Sequence, residues 1–150
     1  MIEFSRQQRQ ALKKLLGRPP VYPANSPAES FLLRYVFLEA LCRLVGKYYR
    51  ERAGGRSKPG TRAPEAIQLN VVSRSFSHFG IRVPTERLTS LLDSSLDRRA
   101  NKSARNLRNG IVHRWDENDV TEAVERHSRF VGIMDAVIDA IARRANGRVK

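Results

Sequence analysis

The stretch "SPAESFLLRYVFLEALCRLVGKYYRERA", residues 26 to 53, constrains the fold of this chain more than any other. Ser26 stands as an N-cap, Pro27 at the first helical position and Glu29 as the returning member of a capping box. On a wheel of about 100° per residue, Phe31, Tyr35, Leu38, Cys42, Val45 and Tyr49 form one apolar stripe. Leu33, Phe37, Leu41, Leu44 and Tyr48 form a second on the far flank, and Glu39, Arg43, Lys47 and Arg50 keep a narrow polar strip. A helix apolar on two flanks is either central in its own bundle or half covered by a second subunit. In a chain this small the second subunit is the more attractive cover.

The remaining segments also read as helices, and strand signals are poor. A short basic helix is expected from about Ser5 to Leu16, with Phe4, Ala11, Leu12, Leu15 and Leu16 as its apolar edge and Gly17 as its stop. "AGGRSKPGTRAP" reads as a basic loop, in which Arg56, Lys58 and Arg62 are candidate contacts to a nucleic-acid backbone. A helix from about Pro64 to Phe79 ends at Gly80. "VPTERLTSLLDSSL" reads as a shorter one with Leu88, Leu91, Leu92 and Leu96 inward, and "DRRANKSARNLRNGIVH" continues helical after a kink near Asn101. After "RWDEN", Asp119 and Glu122 suggest a second capping box. The last helix then runs to about Ala145, stopped by Gly147 and buried along Ala123, Phe130, Val131, Met134, Val137, Ile138 and Ile141. The sum is an all-α chain with short loops that favour up-and-down packing. Residues 1–25 form a basic N-terminal helix and linker, and 26–150 the bundle.

Charge narrows the partner. The chain has 28 Lys plus Arg against 15 Asp plus Glu, a net +13. An excess of that size favours a polyanion, nucleic acid first, with an acidic protein second. No apolar run reaches the length of a membrane span, and the start "MIEFSRQQRQ" lacks the apolar stretch of a signal peptide, so a cytoplasmic location without membrane contact is expected. Cys42, the one cysteine, reads as a buried, inert thiol. No cofactor motif and no metal-ligand cluster stand out; His78 and His127 lack metal-spaced partners. His127 is expected to be a hydrogen-bonded core histidine.

"RNLRNGIVHRWDEND", residues 105 to 119, carries the chemistry. Ala100, Ala104, Leu107 and Ile111 fall within about 60° on the wheel and should face the core. Arg105, Asn109 and His113, spaced by four, then line the outer face with Arg108 on its shoulder. Two guanidinium groups, an amide and an imidazole suit phosphodiester chemistry. Arginine holds and neutralises a phosphate, and histidine moves a proton near neutral pH. Arg108 and His113 point about 140° apart on an ideal helix, which gives a second copy of the chain a reason to complete the site. Lys102, Arg105, Arg114 and Trp115 are the expected substrate contacts, with Arg98 and Arg99 extending the positive face. Trp115 caps the dimer seam or the bundle end, or else stacks on a base. Glu39 is either a partner of Arg105 or Arg108 or a plain surface carboxylate.

"RNGIVH", Arg108 to His113, resembles the signature of the HEPN superfamily: an Arg, a polar residue such as Asn, a short spacer ending apolar, and a His near the end of the third core helix. The resemblance covers about residues 26 to 145. It implies a four-helix bundle, here with an extra N-terminal helix, that dimerises to bring two such motifs together. It further implies a metal-independent endoribonuclease, of the kind found in toxin–antitoxin and anti-phage systems. His113 would act in proton transfer, Arg108 would stabilise the phosphate and Asn109 would support the geometry. The products would carry 2′,3′-cyclic phosphate and 5′-hydroxyl ends. Toxins of this family controlled by nucleotide transfer often have a Tyr two positions after the His; Trp115 stands there and has no hydroxyl to accept the nucleotide. The expected partners are RNA, a second copy of the chain and an acidic antitoxin or inhibitor. The competing readings are a non-catalytic HEPN-like module that binds RNA, nucleotide or an acidic protein, and a DNA-binding α-domain.

Overall fold

The long helix forms where the capping signature places it. In the computed structural model, which describes residues 2–18, 26–52 and 67–147, the Ser26 hydroxyl accepts from the Glu29 N–H at 3.2 Å. The helix runs over Pro27–Arg52. We number the described helices α1 (Arg6–Leu16), α2 (Pro27–Arg52), α3 (Leu69–Phe79), α4 (Thr85–Leu92), α5 (Ala104–Arg114), α6 (Glu117–Glu125) and α7 (His127–Ala145). No strand occurs among the described residues, so the protein is all-α there. The basic loop with Arg56, Lys58 and Arg62 lies outside the described residues.

The two stripes of α2 are explained from within the chain. Phe31, Tyr35, Leu38, Leu41, Cys42, Val45 and Tyr48 are all buried, and α1, α3, α5, α6 and α7 all pack on this helix. Central position, rather than a second subunit, covers most of its apolar surface. Leu33 and Val36 stay exposed. Burial also silences Cys42, whose thiol is pushed up to about 12, by desolvation first and the nearby Glu39 second.

The N-terminal helix belongs to the same core. Ser5 and Gln8 form a reciprocal capping box at its start, with Gln8 N–H donating to Ser5 Oγ and Ser5 N–H to Gln8 Oε1. Just before it, Phe4 stacks on Phe79 at 4.3 Å between centroids and meets Tyr48 edge-on. Leu12 is fully buried against the bundle. Gly80 ends α3 in the left-handed conformation at φ 67°, where a side chain would be strained. Arg144 Nε, from α7, donates to the Phe79 carbonyl at 2.8 Å and occupies one of the free acceptors of that helix end.

Four expectations fail between residues 93 and 127. Residues 93–103 are not helical. Ala100, expected in the core, is exposed and sits at φ 71°. Asp119 and Glu122 are not a capping box, because the cap of α6 is Asp116, whose Oδ1 accepts from the N–H groups of Asn118 and Asp119. Asp119 and Glu122 are instead buried. Glu122 accepts from Ala100 N–H at 2.6 Å, Lys102 N–H at 3.1 Å and Arg126 Nη1 at 2.6 Å. These backbone donors bond a carboxylate on another helix instead of a carbonyl in their own segment, so the segment is a pinned loop. The expected single last helix is broken at Arg126 (φ −100°, ψ 11°). Arg126 Nη1 reaches back to the Lys102 carbonyl at 2.7 Å, and its guanidinium lies 4.4 Å from the Phe130 ring centroid. The break lets α6 leave the α7 axis and lie along α5.

Candidate active site

The site is built on α5. Ser103 caps it through its hydroxyl, which accepts from Asn106 N–H at 3.2 Å. Asn106 Nδ2 in turn donates to the carbonyls of Ser94 and Leu96, tying the loop to the helix. Ala104, Leu107, Gly110 and Ile111 form the buried side. Gly110 is required there. A Cβ at this position would come within 2.8 Å of Asp119 Cγ, so α6 approaches α5 through the missing side chain.

The helix stops at Trp115 because the chain turns left-handed there, at φ 47°. Trp115 N–H donates to the Ile111 carbonyl and Asp116 N–H to the Gly110 carbonyl, each at 3.1 Å. These bonds satisfy the helix end in the manner of a glycine C-cap, and Asp116 starts α6 directly.

On the outer face, the structure brings three of the expected residues together. Arg108 Nη1 donates to Asn109 Oδ1 at 3.0 Å and lies 3.4 Å from His113 Nε2. For the guanidinium to donate to that nitrogen, Nε2 must be bare, with the ring proton on Nδ1. The divergence of about 140° expected between these positions on an ideal helix is therefore overcome within one chain. It describes where the Cβ atoms point, and the long Arg side chain bends back along the helix surface. Arg108 Nε is buried without a partner. His113 is exposed.

The other expected contacts divide. Arg105 is half-buried, while Arg114 and Trp115 are exposed, Trp115 to 69%. Trp115 therefore does not cap the bundle end. Lys102 lies apart from the outer face. Its ammonium is held by Asp119 at 2.7 Å, with Asp97 at 3.8 Å, and that hydrogen bond raises it above the ordinary lysine range. Arg99 donates to Asn118 Oδ1 at 3.2 Å, and Arg98 is exposed. Glu39 pairs with Arg43 at 2.8 Å, not with Arg105 or Arg108. His127 is half-buried with Nε2 buried and unpartnered, so it is not the satisfied core histidine expected.

Tyr35 is the neighbour that sequence reasoning missed. It is buried in α2, and burial foremost, then the fields of Glu39 and Cys42, push its hydroxyl above the ordinary tyrosine range; Arg105 and Arg108 pull it the other way. In the sequence it is one member of an apolar stripe, and nothing local marks it as lying within the field of the guanidinium groups. An open cleft of about 660 Å³ lies elsewhere, lined by Phe76, Ile81, Arg82, Pro84 and Leu88 among others, and none of Arg108, Asn109 and His113 lines it. Among the described residues, no group of three or more His, Cys, Asp or Glu is placed to hold a metal ion, and no helix is long and apolar enough to cross a membrane. Comparison with protein-family models, with curated proteins and with solved structures finds no match for this chain.

Proposed function

We propose that this protein is a metal-independent endoribonuclease of the HEPN type, acting as a toxin or anti-phage effector. The observation that carries the reading is the bridge made by Arg108, whose Nη1 meets both Asn109 Oδ1 and His113 Nε2 on an exposed helix face. A bare Nε2 is a proton acceptor. It takes the proton of an RNA 2′-hydroxyl as that oxygen attacks the adjacent phosphorus. Arg108 turns from the imidazole to the phosphate and stabilises the charge that grows on its non-bridging oxygens, while Asn109 keeps the guanidinium on that side. The P–O5′ bond breaks, the O5′ leaving group takes a proton, and the products are a 2′,3′-cyclic phosphate and a 5′-hydroxyl.

The leaving oxygen needs a proton donor that one His113 acting as base does not supply at the same moment. A homodimer provides it as a second His113. Leu33 and Val36 on α2 and Val112 on α5, the helix that carries the site, are exposed apolar side chains, and a second copy of the chain would cover them. The net charge of +13 suits an RNA substrate and, in the resting cell, an acidic antitoxin or inhibitor.

Purified protein is expected to cut single-stranded RNA in EDTA, with the ends stated above. His113→Ala should lose about 100-fold or more of the rate with its helical circular dichroism unchanged. An alanine variant that cuts as fast as the parent refutes the reading. Salt-sensitive RNA binding without products replaces it with that of a binding module.

A further inference from the structure

We infer that Trp115 is a base-stacking platform that seats one nucleotide of single-stranded RNA beside the Arg108–His113 pair. The inference rests on the ribonuclease reading only for what happens after the nucleotide is seated.

Among the described residues, Ala100 and Trp115 are the non-glycine residues with positive φ. Glycine or asparagine is the usual occupant of a left-handed helix end, and a bulky side chain there is an outlier. Tryptophan at such a position is ordinarily repaid by burial of its ring, yet Trp115 is 69% exposed, more than any other large apolar residue among the described ones. Strain retained without a packing return points to a functional use of the residue.

The backbone on either side of the ring is held. Its own N–H and that of Asp116 are bonded to the last turn of α5, and the Asp116 carboxylate is bonded to the first turn of α6. The ring therefore projects from a fixed corner between two helices, two residues after His113.

Its surroundings select the partner. α5 carries Arg105, Arg108 and Arg114 and no carboxylate. Arg99 is held at the start of α6 by Asn118. The nearest acids in sequence are Asp116, committed to its cap, and Glu117, which is exposed. An exposed aromatic ring at the end of a helix that carries three arginines and no carboxylate suits single-stranded nucleic acid, with cations for the backbone and the ring for a base.

Trp115 is the single tryptophan of the chain, so intrinsic emission reports on it alone. The His113→Ala protein, which holds RNA uncut, would be titrated with a short oligoadenylate and with an abasic ribose-phosphate oligomer of equal length and charge. Binding of each is read separately by anisotropy of an end label. Oligoadenylate should quench the emission, whereas the abasic oligomer should bind without quenching. Adding Trp115→Ala should weaken oligoadenylate binding by about tenfold or more and leave the abasic oligomer unchanged, with Trp115→Phe close to the His113→Ala parent. Oligoadenylate that binds without quenching, or equally well to the alanine variant, overturns the inference. So does a ring that a small soluble quencher such as acrylamide fails to reach in the RNA-free protein, which would place it in a seam between copies. Quenching by an oligomer that the wild-type protein does not cut in EDTA sinks the ribonuclease reading and leaves the platform standing.

Discussion

Replacing Gly110 by alanine perturbs the contact that seats the His113 end of α5 on α6. The added Cβ would overlap Asp119 Oδ2, stand 2.8 Å from its Cγ and lie 3.3 Å from its Cβ. Asp119 is not free to swing away, because it is 1% exposed and its Oδ1 holds the Lys102 ammonium at 2.7 Å. If the helices part, the overpacking costs about 1–3 kcal/mol. If the carboxylate turns aside, a largely buried ion pair is broken at about 3–5 kcal/mol, reduced here because the Lys102 side chain is 17% exposed and reaches water. Alanine returns about 1 kcal/mol over glycine in helix propensity. The cheaper route governs, so after that return Gly110→Ala should destabilise the protein by up to about 2 kcal/mol, or lower Tm by up to roughly 6 °C for a chain of this size. In an Asp119→Ala background the obstacle is gone. There the same substitution should be neutral or stabilising by up to about 1 kcal/mol. Urea unfolding followed by helical circular dichroism in the four proteins of the cycle measures the reversal of sign. An equal effect of Gly110→Ala in both backgrounds would refute the close approach of Asp119 to Gly110.

Two further outcomes follow from the pinned loop. Ala100→Gly, at φ 71°, relieves a left-handed alanine and should raise stability by up to about 1 kcal/mol; a clear loss in thermal melting would show that the methyl group has a packing role. Lys102, whose ammonium is held above the ordinary lysine range by its hydrogen bond to Asp119, sets a stability contribution with a defined sign. A cation with a raised folded-state pKa stabilises fully below its unfolded value of about 10.4, and that contribution is lost as pH rises through the higher folded value. The stability difference between the parent and Lys102→Met should therefore be level from neutral pH to roughly pH 10 and shrink above it; a difference that shrinks between pH 6 and 9 would assign the effect to another group.

Much of the candidate site was legible because it lies within one helix. Arg105, Arg108, Asn109 and His113 share an outer face simply because Leu107 and Ile111, at the complementary spacing, are apolar. The contact between Arg108 and His113 was not legible from the wheel, which records where each side chain starts and not how far an arginine reaches. Lys102 shows the opposite failure. In sequence it is one more cation near the motif, and only the fold brings Asp119 to its ammonium. For Glu39 the sequence left a partner on α5 or a plain surface carboxylate open, and the structure pairs it with an arginine one turn away in its own helix.

By itself the sequence determined that the described elements are helices, several of the helix ends and which face of most helices is apolar. Capping, turn and periodicity signals act over a few residues and are present in the unfolded chain. The bounds of α1, the start of α2, the stop at Gly80 and the buried line of α7 all belong to this class. Only the tertiary structure decided that α2 is covered from within the chain, that residues 93–103 are a loop, and that α6 parts from α7 at Arg126. Each of those outcomes depends on groups far apart in sequence, such as Glu122 meeting the N–H groups of Ala100 and Lys102. A buried carboxylate must satisfy its oxygens once water is excluded, and the backbone donors it recruits are then lost to any local helix.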